Sequence, residues 1–168
     1  FTVDQVGSPA KISGETAIKK DAGAITAGET GSIAINGEEV KIEEGDTMDT
    51  VLGKVRELCN RCNVTFEGAA GSTISFTTQE EGTSQAINLC CDNIALATKL
   101  GINTVTVTKP DGKQALGKET KVAIGAPPTA IGTNAKIAPD KDKGNFTTTT
   151  TVVTDGNMVT ITDRDGFE

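Results

Sequence analysis

Residues 31–63 read "GSIAINGEEVKIEEGDTMDTVLGKVRELCNRCN", and the hydrophobic period changes within them. Through Gly45, Ile33, Ile35, Val40 and Ile42 alternate with small or polar residues around Asn36-Gly37. Alternation is the period of a strand with one buried face, and Asn-Gly suits both positive-φ positions of a type I′ turn. A tight β-hairpin is expected. From Asp46 the step lengthens to three and four, through Met48, Val51, Leu52, Val55, Leu58 or Cys59, and Cys62. That spacing predicts an amphipathic helix of about four turns. Asp46 or Thr47 can cap it, Asp49 or Thr50 takes the capping-box position, and Asn60 or Asn63 can close it in the left-handed conformation.

Outward from this stretch, "NVTFEGAAGSTISFTTQ" (63–79) alternates again through Val64, Phe66, Ile74 and Phe76. A second hairpin is expected, joined with the first in one small antiparallel sheet that the helix covers. Residues 84–91 suit strand and helix equally. From Asp92 a second helix is expected, with Asp92 as its cap, Lys99 in its last turn and Gly101 ending it. Toward the start, an edge strand near 1–6 precedes a loose Gly/Ala/Lys-rich connection that carries Ile12, Ile18 and Ile25. Toward the end, strands are expected at 103–109 and 119–126, flanking a Pro-Asp-Gly turn. A Pro/Gly/Lys loop follows at 127–145, then a Thr-rich hairpin turning at Asp155-Gly156-Asn157. The fold class is α+β, mostly antiparallel hairpins with one or two covering helices. Three parts are expected: an opening strand and connection (1–30), a hairpin/helix/hairpin/helix unit (31–102) and a Thr-rich β unit or return hairpin (103–168).

Composition narrows the function. The 168 residues include no His, Trp or Tyr and only five Phe, so the core must be Val, Ile, Leu and Ala with thiols. Without His, Ser-His-Asp and Cys-His nucleophiles and H-E-x-x-H metal sites are impossible. A net charge of −7, with no basic stripe bearing aromatics, opposes nucleic-acid binding. No apolar run approaches the roughly 18 residues of a membrane-spanning helix. The chain opens and closes as though in mid-strand, which suggests an internal piece of a longer polypeptide.

The four cysteines stand as Cys59-x-x-Cys62 and Cys90-Cys91. A reactive C-x-x-C sits at a helix N-terminus, where the dipole lowers the thiol pKa, whereas Cys59 and Cys62 are expected in a last turn. Zinc would need all four thiolates, and adjacent cysteines rarely face one ion together. A disulfide from Cys62 to Cys90 or Cys91 remains open, and burial of the thiols as small hydrophobes is the favoured reading. The Glu38, Glu39, Glu43 and Glu44 cluster reads as a solvated hairpin face, and "PDKDKG" (139–144) and "DRDG" (163–166) as turns rather than calcium loops. Asn63-Val64-Thr65 and Asn145-Phe146-Thr147 spell glycosylation sequons to which no role is given. No catalytic, cofactor-binding or metal-binding residue is assigned.

The segments "TGSIAINGEEVKIEEGDTMDTVLGKVRELCNRCNVTFEGAAGSTISFTT" and "ALATKLGI" resemble the IN-type motif of bacterial flagellar axial proteins. Ile35-Asn36-Gly37, Gly45-Asp46-Thr47, Asn63-Val64 and Leu100-Gly101-Ile102 occupy the motif positions. The Thr-rich end, with "GKETKVAIG", is similar to the hairpin by which flagellin variable regions return to their inner domain. The resemblance covers roughly two-thirds of the chain. It implies a non-catalytic, extracellular module of the flagellar filament, foremost the variable outer region of flagellin and next an outer domain of the filament cap protein. The partners implied are other flagellar subunits, through inner domains absent from this sequence, with host-surface or antibody contacts open. Four cysteines depart from the family, whose members usually lack them. A surface adhesion or carbohydrate-binding module is the further alternative, which the missing Trp and Tyr disfavour.

Overall fold

The computed structural model describes residues 2–5, 7–82, 84–108, 116–119, 129–131, 136–138, 151–155 and 158–162. The expected first hairpin forms as β3 (Gly31–Ile35) and β4 (Glu38–Ile42), with Ile33 opposite Val40. Its turn has Asn36 at φ 52° and Gly37 at φ 87°, the two left-handed positions that Asn-Gly accepts at least cost. Helix α1 (Met48–Arg61) follows. Thr47 is its N-cap, its hydroxyl accepting from the Thr50 N–H, and Asn63 at φ 54° turns the chain out of the helix. Met48, Val51, Leu52, Val55, Leu58 and Cys59 make the buried stripe.

The second hairpin, β5 (Val64–Glu67) and β6 (Ser75–Glu81), pairs Phe66 with Phe76. It does not join the first hairpin. Its partner is β2 (Pro9–Gly14), which runs between β6 and β8 (Val105–Thr108); β9 (Leu116–Glu119) completes the five-stranded order β5-β6-β2-β8-β9. Beside β3, on the edge away from β4, lies β7 (Ala86–Cys91), flanked in turn by β10 (Thr129–Ile131), giving the four-stranded order β10-β7-β3-β4. The ambiguous 84–91 segment is thus strand. Every pairing among the described residues is antiparallel, so the fold is α+β as expected.

The two sheets meet where β7 and β10 lie over β6, β2 and β8, and α1 enters between β3–β4 and β5 where they part. One apolar cluster fills the interior, with Ile12, Phe76, Ile33, Ile35, Leu58, Ile87 and Leu89 all inaccessible to within 1%. Helix α2 (Ile94–Lys99) packs on β7 and on a 3-10 turn at Ala27–Glu29. Its cap is Asn93, whose Oδ1 accepts from the Ala95 and Leu96 N–H groups. Asp92, expected as the cap, instead accepts from the Ser32 N–H at 2.7 Å.

The connection at 15–30 is also not loose. Ile18 and Ile25 are buried, and each exchanges backbone hydrogen bonds with a distant turn: Ile18 with Gly71 and Ser72, Ile25 with Gly45 and Asp46. Strand pairing therefore crosses residues 30 and 102, because β2 from the first thirty residues sits inside the five-stranded sheet. The expected 127–145 loop contains two short strands, β10 and β11 (Lys136–Ala138). The latter pairs with β1 (Thr2–Gln5), the expected opening strand. The Thr-rich hairpin forms as β12 (Thr151–Asp155) and β13 (Met158–Thr162), with Asp155 opposite Met158. The Pro-Asp-Gly turn and residues 120–126 of the expected strand lie outside the described residues.

Candidate functional site

The thiols are the first candidate for chemistry, and the strand and helix periods scatter them. Cys59 lies on the inward stripe of α1 and is fully buried, whereas Cys62, one turn on, is half-buried. In β7 alternation sends Cys91 into the core and leaves Cys90, opposite Ala34, half-buried. All four are free. No group of three or more metal-ligating side chains occurs among the described residues.

Burial pushes the Cys59 thiol up to about 12, with the neighbouring Cys62 adding to the rise. Burial also raises Cys91, and backbone hydrogen bonding at Asn93 offsets part of the rise; its Sγ–H donates to the Asn93 carbonyl at 3.3 Å. The Cys62 thiol is raised by burial first and then by the charge of Glu38, and Arg61 offsets part of this. Near neutral pH these three are therefore protonated thiols, and it is the thiolate that attacks electrophiles or binds metals.

Among the described residues, the carboxylates whose pKa is shifted are held in the ionised form. Glu38, Glu39, Glu43 and Glu44 are exposed, as the sequence suggests. Asp46 is held below the usual carboxyl range by a 2.6 Å bond from Lys54, helped by the Glu43 N–H. Glu29 is lowered by Lys99 at 2.7 Å and then by the Thr26 N–H. A carboxyl group kept ionised by an adjacent ammonium is a structural clamp, the reverse of the raised pKa that a general acid needs at neutral pH. Lys54 also donates to the Lys41 carbonyl, and Arg61 to the Glu39 carbonyl, so α1 caps the outer edge of β4.

A cleft of about 680 Å³ opens where the 16–23 segment passes α2. Thr16, Lys19 and Asp21 form one wall, and Glu29, Thr98 and Lys99 the other. The Lys99 ammonium is spent on Glu29 and the Ala24 carbonyl, whereas Lys19 and Asp21 stand exposed in the opposite wall. Comparison with family models, curated proteins and solved structures finds no match to this chain. No helix among the described residues is long and apolar enough to cross a membrane.

Sequence reasoning missed the polar hubs that organise these features. Asn93 is one: beyond capping α2, its Nδ2 donates to the Gly28 and Thr30 carbonyls. Asn36 is the other. Its main-chain N–H and both side-chain amide atoms bond to β7. A single Asn in a polar stretch carries no pattern that announces such contacts. The 139–144 and 163–166 segments and the second sequon lie outside the described residues; Asn63 of the first sequon is exposed.

Proposed function

We propose that this chain is a non-catalytic, surface-displayed structural module of a bacterial flagellar filament, foremost the variable outer region of flagellin. The observation that carries this reading is how the motif residues are used. Asn36 and Gly37 make the hairpin turn, and Gly45-Asp46-Thr47 receive Ile25 and cap α1. Asn63 turns the chain from α1 into β5, and Gly101 sits against the Thr16 carbonyl with φ at 72°. Each position of the resemblance is thus occupied by a fold-forming joint. A motif spent on architecture suits a module whose work is to hold a shape. The protonated thiols and paired carboxylates favour the same reading. Its place would be outside the cell, with other flagellar subunits as neighbours.

Immunogold electron microscopy of intact cells of the organism that encodes the chain tests the proposal. Labelling along the filament is expected from the flagellin reading. Gold confined to the distal tip would replace it with the cap protein. Labelled cell bodies with bare filaments would sink both and favour the adhesion alternative.

A further inference from the structure

The Asn36–Gly37 turn joins an intrinsically unstable peptide bond to an unusually complete set of hydrogen bonds. In an Asn-Gly sequence the unhindered glycine nitrogen can attack the asparagine side chain. Gly37 N, having given its proton to base, would bond to Asn36 Cγ while the Cγ–Nδ2 bond breaks and ammonia leaves. Water then opens the resulting succinimide at either carbonyl, giving aspartate or isoaspartate. Water is the only co-reactant. The surroundings of Gly37 do not obstruct this, since the space where a Cβ would stand is empty.

The fold, however, commits the reacting amide elsewhere. Asn36 Oδ1 accepts from the Asn88 N–H at 2.8 Å, and Nδ2 donates to the Ala86 carbonyl at 3.0 Å. The Asn36 main-chain N–H donates to the Asn88 carbonyl at 3.0 Å. The side chain thus continues the β3–β7 ladder past the last strand pair, Ile35 with Leu89. Turning Cγ toward Gly37 N requires both side-chain bonds to break.

We propose that Asn36–Gly37 is a site of spontaneous deamidation that the fold holds closed, modified only when the end of β3 lifts from β7. The product does not return to the parent contacts. A carboxylate in place of the amide loses the Nδ2 donor and sets an anionic oxygen against the Ala86 carbonyl. Isoaspartate further adds a methylene to the backbone of a two-residue turn, whose length sets the hairpin register. Deamidation is then a one-way record of local opening.

The test follows isoaspartate and aspartate at position 36 by peptide mapping. The whole chain is incubated at mildly alkaline pH, folded and in urea, beside a synthetic peptide of residues 33–40. The folded chain is expected to react more than about tenfold slower than the peptide, the factor that an open population below one in ten imposes. Urea should bring it to the peptide rate. Equal rates in the folded chain and the peptide overturn the proposal. So does slow reaction that persists in urea, because the protection would then not come from the fold. Asn36→Asp, made directly, should lower the urea midpoint of the chain and speed hydrogen exchange at the Asn88 amide; no change in either would overturn the one-way character.

Discussion

The Cys62 thiol donates to the carbonyl of Ile35 across 3.3 Å, tying the end of α1 to the last residue of β3. The C-x-x-C thus lies against the hairpin that precedes its own helix, with Cys59 beneath it in the core. A thiol-reactive reagent at neutral pH should modify Cys62 and Cys90 in the folded chain, and Cys59 and Cys91 only on unfolding. Quantitative modification of all four in the folded protein would contradict the burial of Cys59 and Cys91.

The same burial fixes an alkaline limit to stability. Because the folded pKa of Cys59 lies above the ordinary 9.0, the folded state keeps a proton that the unfolded chain releases. Its contribution is complete below pH 9.0 and falls as pH rises toward about 12. The loss from one group approaches about 1.4 kcal/mol per pH unit in that window. Urea titrations of the parent and Cys59→Ala across this range should show a shallower decline in the variant, whatever its starting stability.

The acid limb has the opposite sign. Asp46 and Glu29 are lowered by Lys54 and Lys99. Their stabilisation is therefore present above the ordinary carboxyl values of 3.8 and 4.5, and disappears as pH falls through the lower folded values. Lys54→Met or Lys99→Met should each cost about 1 kcal/mol at neutral pH, as expected of partly exposed, charge-assisted hydrogen bonds. Each variant should also lose less stability on acidification than the parent. Identical acid limbs would mean that the pairs contribute nothing.

Residues 31–63 were legible because local chemistry and burial agree there: alternation, Asn-Gly, a cap and a helical stripe all point one way. The partnering of the two hairpins was not legible. The strand that sits beside β6 is "PAKISG", whose burial face is Ala10, Ile12 and Gly14, one large apolar residue among two small ones. Such a strand gains its stability from neighbours on both sides rather than from its own pattern. The thiols were legible as packing residues in part, since Cys59 and Cys91 fall on buried faces. The clamps from Asn36, Asn93, Lys54 and Lys99 were not, because each spans a distance in sequence that no period encodes.

Ile18 and Ile25 measure how much of the core lies in irregular backbone. Both are almost fully buried in the 15–30 segment. Replacing either by Ala should cost about 2–5 kcal/mol, as for an isoleucine deleted from a strand interior. A change below about 0.5 kcal/mol in urea unfolding, the range of ordinary surface substitutions, would return this segment to the status of a linker.

Two glycines give a sharper contrast. Gly101 has φ at 72°, and a Cβ there would overlap the Thr16 carbonyl oxygen. The neighbour cannot yield easily, for it is backbone, and Gly14 is itself pressed against the Gly101 carbonyl, where a Cβ would come within 2.6 Å. Gly101→Ala combines left-handed strain with a backbone clash and should destabilise by more than about 2 kcal/mol. Gly53 lies inside α1 with open space around its missing Cβ. Gly53→Ala should stabilise by about 0.5–1 kcal/mol, since alanine restricts the unfolded chain and favours helix. The two variants carry the same chemical change, so opposite shifts of the urea midpoint would isolate backbone geometry as the cause. A neutral or stabilising Gly101→Ala would show that the close approach of Gly101 to Thr16 does not constrain the fold.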